Sequence, residues 1–292
     1  MSQVRHNSEH TLSQRQCIAL QWIGLDWICL TELTIICLLL WCVLRCAGAS
    51  SGIGAVTARR LAAEGAKVVL LARREDKLAL IVNAIRKSGG EASYLVGDAS
   101  SEEDNKKLVD LAVKQYGGLH IAFNNAGVVR GYGQKPWEIS AATFSEQMAT
   151  NVNSIFYAVK YQAPAISHSG GGAILNNASV VAFSLGLPGF SIYPASKTWV
   201  VGYTQHVATD LAKIGVRINS VSPGPTYSDV FGAEGHGAIE NLGKGTAIGR
   251  AIKPEEIAAS VAFLASDEAQ AITGIDLIID AGIKVADKSN AQ

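Results

Sequence analysis

The sequence predicts an α/β fold, a single doubly wound parallel sheet with helices on both faces. Three observations carry that prediction. From residue 47 onward, short apolar runs alternate with helical patterns, as in successive β-α-β units. The run Lys67-Val68-Val69-Leu70-Leu71 is continuously apolar, as a strand buried on both faces requires. A glycine-rich turn, Gly48-Ala49-Ser50-Ser51-Gly52-Ile53-Gly54, stands between a possible first strand and a helix.

The elements follow in order. Val56, Leu61 and Ala62 give one apolar face to a helix over 55–64, closed by Gly65, before the buried strand at 67–71. A helix over 75–87 ends at Gly89-Gly90, and a strand over 92–96 follows. The next helix covers 102–116, and a strand over 119–123 delivers Asn124-Asn125-Ala126-Gly127. A long helix over 142–164 and the turn Gly170-Gly171-Gly172 lead to a strand over 173–176. The helix that carries Tyr193 and Lys197 runs to residue 214, and a strand over 216–221 ends at Ser222-Pro223-Gly224. Residues 225–249 are glycine-rich and weakly periodic, a candidate lid. A helix over 254–264 and a strand over 276–280 complete the pattern. No repeat or linker divides residues 47–292, which are expected to form one domain.

Composition narrows the function classes. With 292 residues, 48% of them hydrophobic, the chain is long enough for a large core. Its 25 basic and 25 acidic residues cancel and are interspersed, which argues against nucleic acid or another polyanion as partner. All five cysteines (Cys17, Cys29, Cys37, Cys42, Cys46) and three of five tryptophans fall in the first 46 residues. A boundary is therefore expected there, between an atypical Cys/Trp-rich apolar segment, 1–46, and the domain, 47–292. Neither the cysteines nor the six scattered histidines show metal-ligand spacing, so no metal is expected. The cysteine-free body suits a reduced, cytoplasmic protein. Residues 33–44 are apolar and uncharged, but Asp26 and Glu32 stop the run short of the roughly 20 residues that span a bilayer. Three readings of the segment stay open: a membrane-associating anchor through 17–46, a core segment, or sequence foreign to the domain.

Two constellations carry chemistry. Tyr193 and Lys197 are four apart on a helix and so share a face. An ammonium beside a phenol favours its ionised form, against an ordinary pKa of about 10. Taken alone, the spacing fits an exposed ion or stacking pair better than a catalytic one. The glycine turn opens a helix, where backbone N–H groups and partial positive charge can receive a phosphate.

In the order Gly48-x-x-x-Gly52-x-Gly54, Asp98 after a strand, Asn124-Asn125-Ala126-Gly127, Asn151-Val152-Asn153, Ser179, Tyr193-x-x-x-Lys197 and Pro223-Gly224, residues 47 to about 285 resemble the classical short-chain dehydrogenase/reductase family. The resemblance implies a Rossmann-type fold with a seven-stranded parallel sheet, an NAD(P) cofactor, and hydride transfer between nicotinamide and an alcohol or carbonyl carbon. Carried over by position, Tyr193 is the general acid/base, Lys197 lowers its pKa and binds the nicotinamide ribose, Ser179 holds the substrate oxygen, and Asn151 holds a relay water. The implied cofactor contacts are Gly48, Ser50, Ser51, Gly52, Ile53, Gly54, Arg73, Asp98, Asn125, Ala126, Gly127, Tyr193, Lys197, Pro223, Gly224 and Ser228. A homo-oligomer, dimer or tetramer, is implied as well.

An Asp or Glu at the end of the second strand would serve NAD; here Ala72 stands there, followed by Arg73, which can pair with a ribose 2′-phosphate. NADP(H) is therefore expected over NAD(H), with a small alcohol or carbonyl compound as substrate. The chain departs from the family pattern at Arg45 in the first strand, in one extra residue between Ser179 and Tyr193, and at Asp280-Ala281-Gly282. Arg45 in a central strand motivates the alternative, a catalytically impaired dinucleotide-binding or scaffold protein of the same fold. A Ser-dependent hydrolase would need a Gly-x-Ser-x-Gly elbow, and the one match, Gly48-Ala49-Ser50-Ser51-Gly52, is the glycine turn itself.

Overall fold

The structure, a computed structural model, describes residues 43–183, 188–228 and 235–286. Seven parallel strands form one sheet: β1 (Val43–Ala47), β2 (Lys67–Ala72), β3 (Ala92–Val96), β4 (Ile121–Asn124), β5 (Gly172–Asn177), β6 (Val216–Pro223) and β7 (Asp276–Ile279). Their order is β3-β2-β1-β4-β5-β6-β7. The chain winds outward in one direction from β1 and in the other from β4, and the crevice between these two strands is where such sheets bind ligands, at the strands' C-terminal ends.

Eight helices flank the sheet among the described residues: α1 (Gly52–Ala63), α2 (Glu75–Lys87), α3 (Glu102–Tyr116), α4 (Ala141–Met148), α5 (Ser154–His168), α6 (Ile192–Ala212), α7 (Gly235–Lys244) and α8 (Pro254–Ala265). Alternate residues of β2 to β6 supply two cores, which is why these strands read as largely apolar runs. On one face Leu70 and Phe123 pack with Leu61 of α1, Leu78 of α2 and Ile257 of α8. On the other, Val69 and Leu71 pack with Leu108 of α3, Ile166 of α5 and Val200 of α6.

The predicted elements recur, with three differences. The helix expected over 142–164 is divided into α4 and α5 by a π-helical turn, Ala149–Asn153, and continues past Pro164 to His168. The candidate lid contains α7, seated so closely that a Cβ on Gly243 would lie 2.1 Å from the backbone nitrogen of Ala251. The boundary expected between residues 46 and 47 falls inside β1, whose backbone pairs with β2 and β4 on either side. Arg45 lies opposite Val69 and Ala122 in that register. The side chain of Arg45, which motivates the impaired-scaffold alternative, is outside those the structure describes, and the membrane anchor weighed for residues 17–46 lies outside the described residues apart from its last four. No helix among the described residues is long and apolar enough to cross a membrane.

Candidate active site

Every predicted site residue lies in a turn, strand end or helix along the C-terminal edge of the sheet, or on the helices that reach it. The glycine turn leaves β1 and enters α1. Gly48 has φ +68°, and a Cβ there would lie 2.7 Å from Cα of Ala126; one on Gly54 would lie 2.5 Å from the carbonyl oxygen of Gly48. Gly52 also has a positive φ, 53°. These are positions where a side chain would separate backbones that must touch. Ser51, the N-cap of α1, makes no side-chain capping bond, and the first turn holds no acidic residue. Ile53, behind it, is buried and anchors the turn to the core. Backbone donors, positive helix-end charge and no competing carboxylate fit the pyrophosphate of a dinucleotide.

Around this turn stand the other predicted contacts. Asn125 donates from Nδ2 to the Gly48 carbonyl at 3.1 Å, tying the turn after β4 to the turn after β1. Asp98 receives the backbone N–H and hydroxyl of Ser100, both at 2.8 Å, and faces Arg73 at 3.8 Å. Arg73 is exposed. Its neighbour Arg74 instead reaches back over the turn, donating to the hydroxyls of Ser50 and Ser51 at 3.0 and 3.1 Å. Pro223 ends β6, and Gly224 sits where a Cβ would meet Cα of Asp280 at 2.8 Å. Ser228 is half-buried four residues further on.

Tyr193 and Lys197 lie in the first two turns of α6, as their spacing predicts. Lys197 is buried, and its Nζ stands 5.8 Å from the centre of the Tyr193 ring while donating to the backbone oxygen of Asn177 at 2.7 Å. Burial pushes the Tyr193 phenol up to about 12, opposed by a hydrogen bond with Ser179. Burial likewise pushes the Lys197 ammonium down to about 8. The phenol thus departs from the sequence expectation of a lowered pKa: removal from water outweighs its neighbours.

Asn151 lies in the π-helical turn, fully buried. Its Oδ1 accepts from the Val128 backbone N–H at 2.9 Å, and its Nδ2 donates to the Val128 carbonyl and the Ser196 hydroxyl, both at 3.0 Å. A π-helical turn shifts the register by one residue and is frequent at functional sites. Gly127 lies between the two groups: a Cβ there would be 3.5 Å from Lys197 Nζ and 3.7 Å from Asn151 Oδ1.

Several contributors carry no sequence signal of their own. Gln147, buried, donates to the Val128 carbonyl at 3.0 Å and to Ser196 at 3.3 Å, and accepts from the Arg130 N–H at 2.8 Å. Ser196 bonds back to the Tyr193 carbonyl at 2.7 Å, so α4 and the π-helical turn grip α6 between Tyr193 and Lys197. The four-residue spacing of Gln147 and Asn151 was the available hint. Asn177 and Arg74 offered none beyond their residue type.

Comparison with known proteins places these features among relatives. A family model described as enoyl-(acyl carrier protein) reductase matches residues 48–284. The chain is 38% identical to a cyclohexanol dehydrogenase of Acinetobacter sp., over 80% of this chain and 91% of that one. It is 35% identical to an A-factor type gamma-butyrolactone 1′-reductase of Streptomyces virginiae, over 82% and 93%. A short-chain dehydrogenase of Burkholderia cenocepacia, solved in complex with NADP, superimposes with TM-score 0.78 at 30% identity, covering 85% of this chain and 99% of that one.

Proposed function

Since the chain belongs to the short-chain dehydrogenase/reductase family and is an NAD(P)-dependent oxidoreductase acting on CH–OH groups, we propose that it interconverts a secondary alcohol and a ketone, prefers NADP(H), and uses Tyr193 as general acid/base. The meeting of Ser179, Tyr193 and Lys197 beside the glycine turn carries this reading. A bound dinucleotide would supply or accept the hydride. Residues 48–54, Asp98, Asn125, Ala126, Gly127, Lys197, Pro223, Gly224 and Ser228 would hold it.

The side chains divide the remaining work. In reduction the carbonyl oxygen gains negative charge as its carbon takes the hydride. Ser179 donates a hydrogen bond to that oxygen, and the Tyr193 O–H gives it the proton that completes the alcohol. A phenol raised to about 12 is protonated at neutral pH and so is in the donating form. In oxidation Tyr193 takes the hydroxyl proton, and its scarcity as phenolate makes that direction gain with rising pH. Asn151 fixes the geometry from behind, through Val128 and Ser196.

NADP(H) preference rests on two guanidinium groups where a carboxylate would favour NAD(H). Arg73 follows Ala72 at the exposed end of β2, and Arg74 stands over the phosphate turn on Ser50 and Ser51. Either can pair bidentately with a 2′-phosphate. The test is kcat/KM with NADPH and NADH over a panel of ketones, for the parent, Arg73→Ala and Arg74→Ala. The parent should favour NADPH, and at least one variant should lower that preference by roughly tenfold, as the loss of a charged hydrogen bond implies. Equal use of both dinucleotides by the parent overturns the preference. Binding of NADPH with no turnover of any ketone or alcohol favours the impaired-scaffold alternative.

We further propose a homo-oligomer. Its support is an aromatic surface on α5 and α6, where Phe156, 47% exposed, adjoins Tyr157 and Tyr203, and Trp199 stacks on Tyr203 at 4.7 Å. Sedimentation velocity at micromolar concentration should show a dimer or tetramer; a monomer alone sinks it.

A further inference from the structure

Lys197 is held by a residue outside every pattern read from the sequence. Asn177 ends β5, two residues before Ser179, and its backbone oxygen receives Lys197 Nζ at 2.7 Å. Its side chain turns the other way and donates from Nδ2 to Asn125 Oδ1 at 2.8 Å. Asn125 Nδ2 in turn donates to the Gly48 carbonyl at 3.1 Å. One line of hydrogen bonds therefore joins the ammonium to the first glycine of the phosphate turn.

The direction of both amides in that line is dictated by chemistry. A backbone carbonyl only accepts, so Asn125 must present its NH2 to Gly48 and its oxygen to Asn177. Asn177 must then present its own NH2. The Asn177 oxygen is buried and has no partner among the described residues, so Asn125 alone sets the orientation of the side chain. Nor can the far end drift: Gly48 lies against the Ala126 backbone with no room for a Cβ, and a Cβ on Gly54 would come within 2.8 Å of Asn125 Nδ2.

Resting on the proton-transfer role given to Lys197 above, we propose that Asn177 is a positioning residue that locks the Lys197 ammonium to the dinucleotide-binding turn, coupling dinucleotide binding to proton transfer. Removing its NH2 leaves the Asn125 oxygen without this partner and loosens the strand end whose backbone carbonyl holds Lys197.

Two variants test it. Asn177→Val removes the donor at similar breadth. Asn177→Asp sets a carboxylate against the Asn125 oxygen and adds negative charge near Lys197. The readouts are melting temperature, NADPH affinity by fluorescence titration without substrate, and the pH profile of kcat/KM for ketone reduction. Asn177→Val should weaken NADPH binding and lower kcat together, each by roughly tenfold, the scale of one lost hydrogen bond. In the parent, the Lys197 ammonium persists below about 8 and is lost above it, so reduction falls as pH rises through that value. Tyr193, whose ring faces Lys197, titrates near 12 and leaves that inflection to Lys197. Asn177→Asp should move the fall to higher pH, because a carboxylate favours the charged lysine.

A folded Asn177→Val with parental NADPH affinity, kcat and pH profile overturns the proposal, and so does Asn177→Asp with an unmoved inflection. Should Asn177→Val not fold, the Asp variant and Asn177→Ser, which keeps a short donor, decide by the same readouts. Full activity in Lys197→Met would instead sink the proton-transfer reading itself.

Discussion

The two sides of the crevice are built differently. On the β1 side the backbone makes the site: Gly48, Gly54 and Ala126 touch at distances that exclude a Cβ, and Asn125 closes the joint with a hydrogen bond. Beyond β4, side chains from loops distant in sequence make it. Phe190 lies against the Tyr193 ring with centres 5.2 Å apart, and Tyr132 meets Phe190 edge-on at 5.5 Å. A backbone-built wall recognises what every turnover shares, the dinucleotide. A side-chain-built wall can change its shape and so can select the substrate. Substitutions on the first side should therefore weaken the dinucleotide equally for all substrates, and those on the second should reorder substrates with the dinucleotide unaffected.

The junction between the two sides gives the largest effect. Tyr193→Phe keeps the ring contacts but removes the transferable proton, so kcat should fall about 10³-fold, within the range of general acid/base catalysis. NADPH affinity, measured by fluorescence, should stay within about twofold. A joint loss of affinity would mean that Tyr193 belongs to the dinucleotide wall as much as to the chemistry, and the division would fail there. Next comes Gly54→Val, which forces atoms against the Gly48 carbonyl and Asn125. Overpacking of about 1–3 kcal/mol predicts a loss of NADPH affinity of roughly 5- to 150-fold. The ratio of kcat/KM between a cyclic and a linear ketone should not move; a changed ratio would break the comparison.

The same division governs what the sequence disclosed. Where backbones must touch, only glycine serves, so the glycine turn is visible as Gly48, Gly52 and Gly54. Strand positions were visible because strands buried on both faces are continuously apolar, and Tyr193 with Lys197 because four residues make one helical turn. Asn177 was not visible: its partners lie 52 residues away at Asn125 and, beyond that, 77 residues from Asn125 at Gly48. The π-helical turn at 149–153 was equally hidden, since one inserted residue leaves the apolar pattern of a long helix almost intact. Arg73 and Arg74 were both visible, but the direction each takes after β2 is set by the way the chain leaves the strand; Arg74 received the serine hydroxyls and Arg73 the carboxylate of Asp98.

The smallest expected effect tests the substrate side most directly. Phe190 is held by more than its rings: the Gly133 N–H donates to the Gly189 carbonyl at 2.8 Å, and a Cβ on Gly189 would lie 2.9 Å from Gly133 Cα. The loops after β4 and β5 are thus clasped at the residue before Phe190, and Tyr132, 71% exposed, extends the aromatic surface outward from Tyr193. Phe190→Ala should remove one face of that wall while leaving the clasp, the glycine turn and the Lys197 line in place. An aromatic contact is worth about 0.5–1.5 kcal/mol beyond burial, so kcat/KM for a ring-bearing ketone should fall roughly 2- to 10-fold against a linear methyl ketone, with the NADPH affinity unchanged. An equal fall for both ketones would mean that Phe190 supports Tyr193 and does not select the substrate. The selecting surface would then have to be sought beyond Gly224, towards α7.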